Sequence, residues 1–205
     1  MPKQSKQYHH GDLAETLIYT TVQLLKEKGA GNLSLREVAR IAGVSHGAPA
    51  HHFTDKTGLL TAVAIQGQER LAEKLEQSQV GISDPTERLI TAGEAYVRFA
   101  LSHPGHFDVM FQKEMITAED PDFKVASAKA RLVLETAIRD LALLQPQSRR
   151  PSSHRIEATL AALWSQVHGF SLLWQSGNFG NPDDPEHLTK LLREVLTGIA
   201  PRLDS

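Results

Sequence analysis

Leu33–Lys56, LSLREVARIAGVSHGAPAHHFTDK, decides how the chain reads. Its spacing predicts two short helices joined by a tight turn. Ser34 is placed to cap the first helix, with Glu37 at the offset of a capping box. Leu35, Val38, Ala39 and Ala42 recur at the helical interval and give that helix one apolar face. Gly43 follows where a left-handed helix end calls for a residue without a β-carbon. Val44 reads as the buried residue of the turn, and Ser45 as the cap of a second helix from His46 to about His52. That second helix carries small and polar residues, which suit insertion into a DNA groove. Any αα-hairpin shares the order helix, Gly, helix. The shortness and polarity of the second helix, with Phe53 and Lys56 directly behind it, favour a helix-turn-helix.

LSLREVARIAGVSHGAPAHHFTDKTGLL, Leu33–Leu60, resembles the N-terminal domain of TetR-family transcriptional repressors almost position by position. That resemblance implies that Ser45, His46, Gly47, Ala48 and His51 face the major groove. Of these, only His46 and His51 offer long hydrogen-bonding side chains to base edges. Arg36 matches a position that often reaches DNA in the family, and Ser34 beside it joins the candidate set. Lys56 matches a phosphate-binding position. Thr57 lies at the positive end of the next helix, where an anion is welcome. Two residues depart from the family pattern. Ala50 stands where Tyr is common, and Pro49 deletes a backbone donor inside a short helix, which is tolerable only near its start. His52 and Phe53 read as packing residues.

Composition restrains the remaining possibilities. The chain has 205 residues, 40% hydrophobic and 22% charged, with a formal net charge of −2, so no global basic signature is present. The distribution is uneven. Residues 1–58 hold seven Lys/Arg against five Asp/Glu, a net of +2, and the remainder fifteen against nineteen, a net of −4. The sign suits phosphates approaching the N-terminal part alone. With no cysteine, disulfides, thiolate metal sites and a cysteine nucleophile are excluded. No apolar run approaches membrane-spanning length and no signal peptide follows Met1, which points to a cytoplasmic protein.

Around this centre the chain reads as all-α, with about nine helices in two domains: residues 1–57 for DNA and residues 58–205 for effector binding and dimerisation. Residues 1–8 read as a basic, flexible arm, suited to phosphates or a minor groove or else a mobile tail with no role. Helices are predicted over about 12–28, 57–80, 85–102, 120–144, 154–176 and 186–203. His103-Pro104-Gly105 reads as a turn before a short aromatic segment, and residues 145–153 as a polar linker. The long helix after Lys56 is a mechanical linkage out of the DNA-binding domain.

The second domain supplies apolar and soft side chains for a small-molecule pocket: Phe99, Phe107, Met110, Phe111, Met115, Trp164, His168, Phe170 and Trp174. His168, between Trp164 and Phe170, is a candidate orienting group. Ordinary core packing is the competing reading for each of them. ALWSQVHGFSLLWQSG, Ala162–Gly177, resembles the C-terminal domain of one TetR subgroup more loosely. The resemblance also implies a homodimer through the last two helices, with Gly169 and Gly177 permitting close approach. No Gly-rich phosphate loop, GxSxG or HExxH occurs, which argues against an enzyme, and the paired histidines lack the spacing of a metal site. No cofactor is expected. The chain therefore reads as a regulator, most simply a repressor, that binds palindromic operator DNA and is switched by an effector. A helical ligand-binding protein with weak or vestigial DNA binding is the alternative.

Overall fold

The computed structural model of the chain describes residues 10–198, with side chains from Leu13 onward. The arm at residues 1–8 and the end of the last predicted helix lie outside the described residues. Within them, all regular structure is helical: α1 (His10–Lys28), α2 (Leu35–Ile41), α3 (Ala48–Phe53), α4 (Lys56–Ser78), α5 (Pro85–Ser102), α6 (Pro104–Val109), α7 (Pro121–Leu143), α8 (Ser153–Gln175) and α9 (Pro185–Thr197). One 3-10 turn, Gln147–Arg149, lies in the predicted linker.

Local chemistry sets most of these boundaries. Ser34 caps α2, its Oγ accepting the Glu37 N–H at 3.3 Å. Glu37 does not close the box, because its carboxylate pairs with Lys28 of α1. Gly43 has φ +71, the Gly43 N–H donates to the Arg40 carbonyl and the Val44 N–H donates to that of Ala39. This double bond pattern ends α2 and turns the chain sharply. Acidic caps start α5, α7 and α9. Asp84 accepts the Thr86 N–H, Asp120 those of Asp122 and Phe123, and Asp184 those of Glu186 and His187.

Two expectations are corrected. Ser45 does not cap the second helix of the motif, and His46 lies outside it: α3 begins at Ala48 with Gly47 as N-cap and no side-chain cap bond. Pro49 supplies the reason. With Ser45 as cap, Pro49 would owe an N–H to the Ser45 carbonyl, and it has none. Starting at Ala48 places Pro49 in the first turn, where no donor is needed. Likewise His103-Pro104-Gly105 is the start of a helix, since Pro104 stands at the first position of α6.

The chain forms two compact units. Among the described residues, the first comprises 10–68 together with His103–Val125, and the second comprises Glu69–Ser102 and 126–198. Leu17, Leu24, Leu25, Val38, Ala39, Leu59, Leu60 and Val63 form the buried centre of the first, with Phe107, Val109 and Met110. In the second, Leu89, Ala137, Ile138, Leu141, Ile156 and Leu160 form one apolar cluster. There Arg88 of α5 donates to Asp140 of α7 at 2.6 Å, and Arg193 of α9 donates to Glu87 and Glu94 of α5 at 2.6 and 3.0 Å.

Candidate functional site

In the first unit, α2 and α3 present the helix-turn-helix. Ser34 and Arg36 are exposed at the start of α2. Ser45, His46 and Gly47 are exposed in the turn before α3, with Ala48 half-buried at its first position. His51 and Ala50 are exposed on α3, whereas Pro49 is buried in it. His52 and Phe53 are half-buried with their rings 6.1 Å apart, as packing residues should be. From α2 through α3 the surface therefore offers one guanidinium, two imidazoles and two hydroxyls of the nominated set, beside small residues that let a backbone approach. Arg40, also exposed on α2, adds a second guanidinium. Its sequence signal was its place one helical turn beyond Arg36.

Lys56 and Thr57 open α4. The Lys56 ammonium donates to the Gly31 carbonyl at 3.3 Å, tying α4 to the loop between α1 and α2, and Thr57 is exposed. The α3–α4 junction is tight. Thr54 has φ 64 and ψ −58, and the Asp55 N–H donates to the Phe53 carbonyl at 2.7 Å, the pattern of a strained γ-turn. Asp55 then caps α4 by accepting the Gly58 N–H at 2.8 Å.

Helix α6 packs on α1 within this same unit. Asp108 accepts the Ala30 N–H at 3.0 Å. A β-carbon on Gly105 would stand 2.4 Å from the Val22 carbonyl oxygen, so only glycine allows the approach. Gln66 of α4 is hydrogen-bonded to His106 of α6 at 2.9 Å, and Gln68 of α4 donates to the Met110 carbonyl at 3.3 Å. Of the nominated pocket residues, Phe107 and Met110 are buried here. Phe111 is half-buried edge-on to Phe107, and Met115 is half-buried nearby in sequence.

The remaining five lie in the second unit. Phe99 is buried in α5. Phe170 and Trp174 are buried and stacked on α8, and the Trp174 N–H donates to the Pro182 carbonyl at 3.1 Å. Trp164 and His168 meet at Tyr96. The Trp164 indole N–H donates to the Tyr96 oxygen at 3.1 Å, and that hydroxyl stands 2.9 Å from His168 Nδ1. The bonds are satisfied when Tyr96 accepts from Trp164 and donates to a neutral His168. Burial raises the Tyr96 phenol above its ordinary value and lowers the His168 imidazole below its own, so both stay uncharged near neutrality.

Tyr96 and Trp164 also line a partly open cavity of about 30 Å³. Its other walls are Leu89, Ile90 and Gly93 of α5, Leu134 and Ile138 of α7, Leu160, Leu163 and Val167 of α8, and Leu196 of α9. Sequence reasoning nominated Trp164 among these and missed Tyr96. The signal was present, because Leu89, Gly93 and Tyr96 repeat at the helical interval on one face of α5.

On α8, Ala158, Ala161, Ala162, Ser165, Leu172 and Leu173 are exposed. Apart from Pro185, the exposed residues of α9 are polar: Glu186, His187, Thr189, Lys190, Arg193, Glu194 and Thr197. No helix among the described residues is long and apolar enough to cross a membrane.

Known proteins share this architecture. Residues 17–63 match the family model described as bacterial regulatory proteins, tetR family, and residues 89–196 match the tetracyclin repressor-like C-terminal domain. The HTH-type transcriptional regulator BetI of Pseudomonas paraeruginosa is 33% identical over 72 residues, 35% of this chain and 36% of that protein. BetI of Yersinia pestis is 34% identical over 82 residues, 39% and 41% of the two chains. The chain thus spans less than half the length of these curated relatives. A Rhodococcus sp. RHA1 protein of unknown function superposes with a TM-score of 0.75 at 26% identity, over 97% of each chain. The TetR-family regulator PfmR of Thermus thermophilus shares the fold, with a TM-score of 0.66 at 20% identity over 92% and 96% of the two chains.

Proposed function

The chain belongs to the TetR family of bacterial transcriptional regulators, and from that premise we propose that it is a cytoplasmic, ligand-responsive repressor that binds palindromic operator DNA as a homodimer. The observation that carries the reading is the helix-turn-helix itself. A capped α2, a glycine turn and a six-residue α3 leave Arg36, Ser45, His46 and His51 exposed together with Thr57. With so few base-reading groups, one such unit would bind weakly. Two on a two-fold axis would read half-sites about one helical turn apart. The exposed Ala158, Ala161, Ala162 and Leu172 of α8 supply apolar surface for pairing two copies beside α9.

The second unit would hold the effector. Helix α5, which lines the cavity, runs on through His103 into α6, and α6 is fastened to α1 by Asp108 and Gly105. A ligand that favours one setting of α5 thereby biases the unit that carries α2 and α3. The coupling is limited by its differential affinity, typically ~1–3 kcal/mol.

The test is fluorescence anisotropy of the full chain with a duplex from immediately upstream of its reading frame, and with a scrambled duplex, at two salt concentrations. Selective binding is expected, falling by roughly 10³-fold from low to physiological salt as phosphate counterions are released. Arg36→Ala should weaken it by about 1–3 kcal/mol and relax selectivity if Arg36 reads a base, or reduce the salt slope if it holds a phosphate. Equal, weak binding to both duplexes would sink the operator reading and leave the second unit as the working part.

A further inference from the structure

We propose that the α5–α7–α8–α9 cavity takes an uncharged, predominantly apolar effector, which enters with an apolar end and leaves any polar group outside. The inference rests on the reading of the second unit as an effector-binding unit and adds the chemical class of the ligand.

The lining carries it. Leu89, Gly93, Leu134, Leu163 and Val167 contribute no polar side-chain atom, and no lysine, arginine, aspartate or glutamate reaches the cavity. Its two polar side-chain atoms, the Tyr96 oxygen and the Trp164 indole nitrogen, are bonded to one another, and the Tyr96 hydroxyl is bonded in turn to His168. Burial holds both Tyr96 and His168 in their neutral forms, so the wall has no charge to offer. An ionised ligand group entering here would lose its water and find no counter-ion, which is prohibitive. A neutral alkyl end or the edge of a ring loses nothing on entry and gains apolar contact.

The interior is small, about 30 Å³, so it accepts the end of a molecule. Leu134, Leu163 and Trp164 are half-buried at its edge, where the rest of the ligand would lie. Gly93 widens the space on the α5 side: a β-carbon there would stand 2.9 Å from Leu196. The second unit also has a wider groove of about 460 Å³, bounded by Val80, Ile82 and Leu132, but Glu76, Arg88 and Lys129 stand on its walls. Charged ligands have that alternative, and the two sites are separable by charge.

The experiment titrates the full chain with neutral N-phenylnaphthylamine and with its sulfonated analogue, anilinonaphthalene sulfonate, following dye emission. Duplex binding is measured on the same samples. The neutral dye is expected to saturate at one per chain and to bind at least about tenfold more tightly than the sulfonate. Leu134→Phe, which fills the cavity, should weaken the neutral dye by at least about tenfold with the melting temperature unchanged or raised. Leu163→Phe repeats the test from α8 if the first variant melts early. Sulfonate binding that is equal or tighter and is lost on Leu134→Phe overturns the proposal, as does loss of the neutral dye on Lys129→Ala, which would place that dye in the wider groove. Neutral-dye binding that ignores both filling variants, or is absent from the wild type, also overturns it. If duplex binding persists in those cases, only the ligand class has failed. If duplex binding is itself missing, the regulator reading fails separately.

Discussion

Thr54 is the one described non-glycine residue with positive φ, and it sits where α3 hands over to α4. At φ 64 and ψ −58 its β-carbon is crowded against its own backbone. For an L-residue that costs ~1–2 kcal/mol, with a branched side chain at the upper end. Its side chain is exposed, so replacing it forfeits no burial. Thr54→Gly removes the strain but frees the unfolded chain, a loss of about 0.4–1 kcal/mol. The expected balance is a gain of roughly 0.5–1 kcal/mol, read as a higher urea midpoint at constant slope. A neighbouring substitution should have the opposite sign. Glycine to alanine in a helix ordinarily gains ~1 kcal/mol, yet a β-carbon on Gly58 would lie 2.0 Å from the Phe53 carbonyl oxygen. Gly58→Ala should therefore lose about 1–3 kcal/mol through forced backbone movement. If Thr54→Gly proves destabilising by more than about 0.5 kcal/mol, the strain assigned to this junction is wrong. If Gly58→Ala stabilises, the close approach is wrong.

Other perturbations probe the two units. Gly105→Ala sets a β-carbon 2.4 Å from the Val22 carbonyl oxygen, so α6 must shift from α1. A loss of about 1–3 kcal/mol and a weaker effect of any effector on duplex binding are expected, and unchanged stability would contradict the packing. Tyr96→Phe removes the hydroxyl between Trp164 and His168. Urea unfolding should then report a loss of roughly 1–2 kcal/mol, and a neutral outcome would show that water replaces it without cost. The His168 imidazole titrates below its ordinary value because burial penalises its charged form. Above that ordinary value both folded and unfolded states are neutral there and nothing is lost. As pH falls through it, the unfolded chain protonates first, so stability drops until the folded-state value is passed. Unfolding measured from about pH 8 down to about pH 5 should show the wild type losing more than His168→Gln, and parallel curves would count against the buried imidazole.

The sequence by itself determined what is local. Ser34, Gly43, Asp84 and Asp120 announce their helix ends because a cap or a left-handed turn is satisfied within a few residues of chain. Apolar periodicity in turn makes each long segment a helix with one buried face. Even the misread start of α3 was local, since Pro49 alone fixes it once its missing donor is counted. Tertiary structure decided which helix meets which. That α6 joins the first unit depends on Gly105 fitting against Val22 and on Asp108 reaching Ala30 across 78 positions. Phe107 and Met110 thereby enter the core of that unit, the reading that competed with the pocket for them in the sequence. Tyr96 and His168 are separated by 72 positions and meet at the Tyr96 hydroxyl, while Tyr96 and Trp164 line the cavity. Helical periodicity places each on a face but carries no information about its partner, because several apolar faces are interchangeable until shape and hydrogen bonds select among them.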